Sequence, residues 1–364
     1  MQSLRDAHID ELLRLQVEWR GSDLHLTVGL PPMIRVDGKL EKAPYEVCTE
    51  YDTQRLVYDI ITDREIEVFE ETRELDLSYG VKGLSRFRVN VYRQRGAVGA
   101  AIRAIQDKIP TMEEMNLPNI DTLKMFTQLP RGLVIVTGPT GSGKSTTLAT
   151  MINHINQTRD VHVLTVENPI EFMHRHNRAM INQRELGRDT YSYANALRAV
   201  LREDPDIVLI GEMRDMETIE ATLTVAETGH LVFATLHTNS APATIDRIVD
   251  VFPPEQQEQI RVALAGSIQG IVSQQLLPLI GGKGRTVAVE FMVATPGIRN
   301  LIREGKSFQI QNVIETGKDL GMITMDAALA SLVFEGRVSR EAAEEKCLDR
   351  DNFNRLCSGT FYAR

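Results

Sequence analysis

The sequence predicts an α/β domain built on a parallel-rich sheet and preceded by a smaller α+β unit. Three observations predict it. Apolar, β-branched runs recur at Gly132–Thr137, Val161–Val166, Ile207–Ile210 and Leu231–Leu236, the texture of strands buried on both faces. Helical periodicity fills the gaps between them, at Lys144–Asn156, Ser192–Arg202 and Met216–Thr228. Before Arg131 the texture differs: short alternating strands, separated by glycines, replace the strand–helix alternation.

In chain order, Leu4, Ile9, Leu12, Leu13 and Val17 recur at helical spacing, so residues 3–19 are expected to form an amphipathic helix. Ser22–Thr27 alternates like a strand. Met33–Val36, Asp37-Gly38 and Lys39-Leu40 read as a hairpin with a tight turn. One helix is expected across Thr53–Glu70. Leu75–Ile105 is β again, punctuated by Gly80, Gly83, Gly96 and Gly99. Residues 1–107 thus make the first unit. Pro110, Pro118 and Pro130 interrupt regular structure, so residues 108–130 read as a linker with a short helix. The α/β domain covers residues 131–340. Beyond Pro254 it is expected to be helical, apart from a strand at Arg285–Val293, and residues 341–364 read as a polar tail.

Composition narrows the function. The chain has 364 residues, with 42% hydrophobic and 25% charged, which suits two globular domains. A net charge of −9 argues against a general nucleic-acid or anionic-membrane binder. No apolar run approaches the ~18–20 residues of a membrane span, and the N-terminus lacks a signal-peptide layout. Cys48, Cys347 and Cys357 form no C-x-x-C pair, which excludes a disulfide framework or four-thiolate zinc site and fits a reducing cytoplasm.

The chemistry centres on Gly138-Pro139-Thr140-Gly141-Ser142-Gly143-Lys144-Ser145, which matches G-x-x-x-x-G-K-[ST] at every fixed position and continues into Thr146. It follows an expected strand and opens an expected helix. Glycines let the backbone close round phosphate oxygens, and the loop amides and helix N-terminus supply positive potential. Lys144 would reach the β- and γ-phosphates, and the Ser145 hydroxyl would coordinate Mg²⁺. Ile207–Ile210 leads into Glu212, read as the acid on a strand beside the phosphate loop that holds the metal or its water. Val163–Val166 leads into Glu167-Asn168-Pro169, where Glu167 is either a general base or a carboxylate capping the turn. His230 precedes the run Leu231–Leu236 and His237 ends it. His237 could sense the γ-phosphate or be a hydrogen-bonded structural residue. His174 and His176 read as surface residues of a polar turn. Strand alternation over Ser85–Arg93 puts Arg86, Arg88 and Asn90 on one face and Phe87, Val89 and Val91 on the other. On texture alone Arg88 and Arg103 favour a solvated edge over arginines that reach γ-phosphate charge.

These motifs resemble, in order, the Walker A, Asp, Walker B and His boxes of the type II/IV secretion ATPase superfamily. Its boxes here are the phosphate loop, Val166-Glu-Asn-Pro-Ile-Glu171, Ile210-Gly-Glu-Met-Arg-Asp215 and Ala226–His237. Gly297-Ile-Arg-Asn-Leu-Ile-Arg-Glu304 resembles the A-I-R-N-L-I-R-E motif of the PilT-like retraction ATPases of type IV pili. Gly21–His25 and Arg35–Gly38 are similar to that subgroup's N-terminal domain.

The resemblance implies a PAS-like domain, a RecA-like P-loop ATPase domain and a ring homohexamer that uses ATP and Mg²⁺. It implies that Glu167 is the catalytic base, Glu212 the Walker B acid, and His230 and His237 the His-box pair. Arg88 and Arg103 match arginines that face the nucleotide. The implied function is hydrolysis-driven pilus retraction and twitching motility. The implied place is the cytoplasm, held at the inner membrane through the platform protein of the pilus machine. Alternatives are an accessory, PilU-like retraction ATPase and a pilus-assembly or type II secretion ATPase. Relatives of that last kind carry a four-cysteine zinc element and a longer N-terminal region. The chain departs from the pattern at Asn168, where the family usually has Asp, and at Gly297, where the motif has Ala.

Overall fold

The computed structural model describes residues 2–36, 38–105, 108–282 and 284–358. Asp37 of the expected tight turn, residues 106–107 at the expected domain boundary and residues 359–364 of the expected tail lie outside the described residues. The chain divides into two compact units. One is Met1–Lys108 with Glu171–Met173, the other Ile109–Ile170 with His174–Arg364.

The first unit holds α1 (Ile9–Glu18), β1 (Asp23–Leu26), β2 (Met33–Val36), β3 (Lys39–Lys42), α2 (Glu50–Tyr58), α3 (Asp63–Thr72), β4 (Glu74–Val81), β5 (Ser85–Gln94) and β6 (Ala97–Ala104). Among the described residues its strands form a six-stranded antiparallel sheet in the order β3-β2-β1-β6-β5-β4. Phe87, Val89 and Val91 are fully buried, while Arg88 is exposed, as the alternation of β5 requires.

The expected helix across Thr53–Glu70 is two helices. Thr62 accepts the Glu65 N–H while the Glu65 side chain takes the Thr62 N–H, so a capping box starts a new helix after Ile60 and Ile61 turn inward. The T-x-x-E signature was present, but apolar periodicity runs through it. A box formed by His8 and Glu11 likewise starts α1 at Ile9, inside the expected 3–19 span.

The second unit holds α4 (Ile120–Gln128), β7 (Gly132–Thr137), α5 (Lys144–Thr158), β8 (His162–Glu167), β9 (Met180–Glu185), α6 (Tyr193–Val200), β10 (Ile207–Ile210), α7 (Met216–Glu227) and β11 (Leu231–Thr235). After these come α8 (Ala241–Asp250), α9 (Pro254–Ser267), β12 (Ile268–Pro278), β13 (Arg285–Val293), α10 (Pro296–Arg303), α11 (Ile310–Thr316), α12 (Met325–Phe334), α13 (Arg340–Glu344) and α14 (Arg350–Cys357). The sheet order is β13-β12-β7-β11-β10-β8-β9. All neighbours are parallel except the antiparallel pair β12–β13. Every residue of β7, β10 and β11 is buried, which is why those strands read as unbroken apolar runs. The α/β fold class expected from the sequence is the observed one.

Four expectations are corrected. β12 was read as helix because Ser273, Gln274 and Gln275 interrupt its apolar character. It is a strand because β7 and β13 pair with it on both sides and bury those polar groups. β9 gives no strand signal in the sequence because four of its six residues, Asn182–Glu185, are polar and it lies at the sheet edge. The short helix expected in the linker is α4, but it packs as core: Leu123 and Phe126 are fully buried in one cluster with Leu148 and Ile152 of α5. The expected polar tail, as far as Ser358, contains α13 and α14. Ala343 and Phe353 are fully buried there beside Met325 and Leu329 of α12.

Candidate active site

Because β7, β8, β10 and β11 run parallel, their C-terminal ends gather along one edge of the sheet. The phosphate loop leaves β7 there. A side chain at Gly138, with φ at 139°, would stand 2.2 Å from the Gln274 carbonyl oxygen and 2.7 Å from Ser142 Oγ, so only glycine lets the loop lie against β12. Gln274 Nε2 in turn donates to Thr147 Oγ1 of α5 at 2.8 Å, bracing the loop from behind. Ser142 Oγ is buried in the loop without a hydrogen-bond partner.

Helix α5 begins at Gly143 with no side-chain cap and no acid in its first turn, whereas α6, α7 and α8 are capped by Ser192, Asp215 and Ser240. Its first amides, together with Lys144, Ser145 and Thr146, therefore present an open positive end that fits a phosphate chain.

Lys144 Nζ donates to the carbonyls of Gly138 and Pro139 at 2.8 and 3.1 Å, and stands 3.5 Å from His237 Nδ1. His237 Nε2 meets Glu212 Oε1 at 3.0 Å, and Glu212 Oε2 meets Arg214 at 2.7 Å. An ammonium only donates and a carboxylate only accepts, so this order places the imidazole proton on Nε2. The sequence reading put the Glu212 strand beside the phosphate-loop strand. Instead β11 lies between β7 and β10, and that is what inserts His237 between Lys144 and Glu212.

The loop beyond His237 is fixed by Thr238. Its N–H donates to Thr137 Oγ1 at 2.9 Å, and its hydroxyl meets Thr244 Oγ1 at 2.6 Å. Arg214 was missed as a site residue, although it sits two positions from Glu212. Its hydrogen bond to Glu212 raises its pKa further.

Glu167 ends β8, where Oε1 accepts Thr165 Oγ1 at 2.7 Å and Gln183 Nε2 at 3.3 Å. A side chain at Gly211 would stand 3.1 Å from the Tyr193 hydroxyl and 3.2 Å from Glu167 Cα, so this glycine lets Tyr193 settle between the two acidic strand ends. Burial pushes the Tyr193 phenol up to about 12.

The structure does not bring His230 to this edge. It stands at the opposite end of β11, roughly 20 Å from His237 at the rise of an extended chain. There its Nδ1 lies 3.1 Å from the Val225 carbonyl at the end of α7. His174 is not a simple surface residue: its Nδ1 is buried without a hydrogen-bond partner, and burial lowers its pKa to about 4. His176 is exposed and accepts the Ile181 N–H at 3.0 Å. Arg88 and Arg103 lie in the first unit, directly paired across β5 and β6, and Arg103 Nε meets Asp23 Oδ1 at 2.9 Å.

Residues 85–295 match the family described as type II/IV secretion system protein. A Pseudomonas aeruginosa protein described as a type IV pilus retraction ATPase, PilT, is 51% identical over 95% of this chain and 99% of its own length. A Neisseria gonorrhoeae twitching motility protein is 45% identical over 89% of this chain and 86% of its own. A solved structure of the pilus retraction motor PilT with bound ADP superposes with a TM-score of 0.89, at 45% identity, over 96% of this chain and all of its own.

The chain belongs to the type II/IV secretion system protein family.

In this family member the segment Gly297–Glu304 forms most of α10, with Ile298 and Ile302 buried and Leu301 packed beside them. Arg299 is tied back. Its guanidinium donates to the carbonyls of Ala265 and Gly266 at 2.7 and 3.1 Å, closing the end of α9. Arg303 remains exposed. Among the described residues, no helix is long and apolar enough to cross a membrane.

Proposed function

We propose that this chain is an ATP-hydrolysing motor that drives type IV pilus retraction and twitching motility. The observation that carries the chemistry is the ordered line Lys144–His237–Glu212, built from three parallel strand ends beside a complete phosphate loop. The loop from Gly138 to Thr146 wraps the phosphates with its amides. Lys144 exchanges the Gly138 and Pro139 carbonyls for β- and γ-phosphate oxygens. His237, released from Lys144 by that exchange, reports an occupied γ-position to Glu212. Glu167 accepts the proton of the attacking water. Arg88 and Arg103 supply charge to the γ-phosphate as it departs.

Ser145 suits a Mg²⁺ ligand, and Glu212, with both oxygens already engaged, suits the metal's water shell. Bound Mg²⁺ would neutralise the phosphate oxygens. His230 is left out of the chemistry and closes α7.

The similarity to the P. aeruginosa and N. gonorrhoeae proteins supports retraction as the mechanical output. On this reading a PAS-like unit, followed in the chain by a RecA-like ATPase unit, repeats round a ring of six copies. The ring works in the cytoplasm, docked on the inner-membrane platform protein of the pilus machine.

Two measurements test this together. Lys144→Ala removes the main phosphate counter-ion, so ATP turnover falls at least ~10²-fold; near wild-type turnover refutes the site. Arg303→Ala alters an exposed residue far along the chain from the loop. It leaves turnover intact but fails to restore twitching in a strain lacking this protein; full rescue removes α10 from the mechanical output. Arg303→Ala is cleaner than truncating Leu301 and Ile302 together, because Ile302 is buried and its loss costs about 2–5 kcal/mol.

A further inference from the structure

Glu290 lies in the interior of β13, fully buried, and no step above uses it. A carboxylate removed from water needs compensation at its oxygens. Oε1 accepts the N–H of Ala241 at 2.8 Å, and Oε2 accepts the N–H of Met325 at 3.3 Å. These amides open two different helices, α8 and α12. Each helix already has a cap of its own, since Ser240 accepts from Ala243 and Thr324 accepts from Ala327. Those caps serve the third amide of each helix, so the first amides, Ala241 and Met325, have Glu290 as their acceptor. What its carboxylate adds is a joint between them. Burial, and then the nearby Asp326 carboxylate, raise its pKa to about 7.

The joint has an active-site side. Ala241 follows His237 by four residues (241 − 237 = 4). That short loop is held at its start by Lys144 and Glu212, in its middle by Thr137 and Thr244, and at its end by Glu290. On the other side, Asp326 follows Met325 and accepts the N–H groups of Leu348 and Asp349 at 2.8 and 3.2 Å, where α14 begins. Hydrogen bonds joined by short stretches of backbone thus link the phosphate lysine to the C-terminal helices.

We propose that Glu290 is a positioning residue of the nucleotide site, setting the loop that carries His237 and joining it to α12. This rests on the reading of that site given above. Glu290 acts through backbone amides and never touches the nucleotide, so its loss lowers kcat by misplacing His237 and leaves the phosphate loop's hold on ATP intact.

The test compares Glu290→Gln, which keeps size and one acceptor, with Glu290→Leu, which keeps size and no acceptor. In the full chain, kcat falls from Glu to Gln to Leu, by about 10-fold or more for Leu, the scale of a misplaced catalytic group. KM and the nucleotide dissociation constant stay within about 3-fold of wild type, because ground-state binding is untouched. Leu leaves the Ala241 and Met325 amides unpaired and lowers the thermal midpoint, so kcat is read well below the midpoint of each variant. Wild-type kcat in both variants, measured where each is fully folded, or a KM that rises as kcat falls, overturns the proposal.

Lys144→Ala in the same assay separates the two readings. Turnover surviving there defeats the nucleotide site itself. Turnover lost there, but normal in both Glu290 variants, defeats only the role of Glu290. A second measurement uses the unaltered protein. A non-hydrolysable ATP analogue slows amide exchange at Ala241 and Met325 together; slowing at Ala241 with none at Met325 overturns the joint.

Discussion

Strand β11 has a histidine immediately before it and another just past its end, and the two have different surroundings. His237, at the C-terminal end, stands between Lys144 and Glu212. His230, at the N-terminal end, stands against the Val225 carbonyl and the Thr228 hydroxyl, both at 3.1 Å. Residue type, chain neighbourhood and flanking strand are shared, so none of these explains the difference. Direction does. A parallel sheet collects all its C-terminal ends on one edge, and the phosphate loop leaves β7 on that edge. A histidine at the other end can only serve the helix that precedes the strand. The same residue type at a third place, His174, has neither role and is simply desolvated.

The sharpest way to break this contrast is at the C-terminal edge. Glu167→Gln keeps nucleotide binding and lowers turnover by ~10²–10⁴-fold, the usual range for removing a general base. Normal hydrolysis by that variant, measured as phosphate release, moves the base to Glu212. Asn168→Asp leaves turnover equal or higher, and a large fall assigns Asn168 a role of its own.

The contrast itself is measured by His237→Ala against His230→Ala. The first lowers kcat by about 10–10²-fold with little change in stability, as loss of one preorganised polar group does. The second removes a helix-end hydrogen bond, destabilises the chain by about 1 kcal/mol and leaves kcat within about 2-fold. Equal kcat losses would mean that the edge of the sheet does not decide the role.

Arg88→Ala and Arg103→Ala come next, each lowering kcat more than nucleotide affinity, because their charge counts most as the γ-phosphate departs. Unchanged kcat in both returns them to a solvated strand face, where Arg103 merely pairs with Asp23.

The smallest effect belongs to His174. Burial holds its folded-state pKa near 4, below the ordinary 6.5. Between those values the unfolded chain binds a proton that the folded chain refuses, so its stability contribution is complete above pH 6.5 and is lost as pH falls toward 4. Thermal midpoints measured across that range fall less steeply in His174→Phe than in wild type. Identical slopes would show that the imidazole is hydrated in the fold.

What could be read in the sequence follows from what each signal depends on. The phosphate loop was legible because its fixed positions answer local demands: Gly138, Gly141 and Gly143 stand at positive φ, and Lys144 and Ser145 occupy the first helical turn. The core strands were legible because burial on both faces leaves an unbroken apolar run. β12 was not, since Ser273, Gln274 and Gln275 are polar residues that only pairing on both sides makes tolerable inside. The α2–α3 break was legible in principle, in Thr62 and Glu65, but apolar periodicity masked it. The tail was read as polar because Phe353 is one apolar residue in a charged stretch, and a single side chain gives no period.

The sequence by itself determined the kind of chemistry and the strand ends that carry it, because a phosphate cradle and a buried strand are local demands on residue type. The order of strands in the sheet was decided only by the tertiary structure, because it rests on contacts between segments about a hundred residues apart. That order put β11 between β7 and β10, set His237 between Lys144 and Glu212, and brought Glu290 under the amides of Ala241 and Met325.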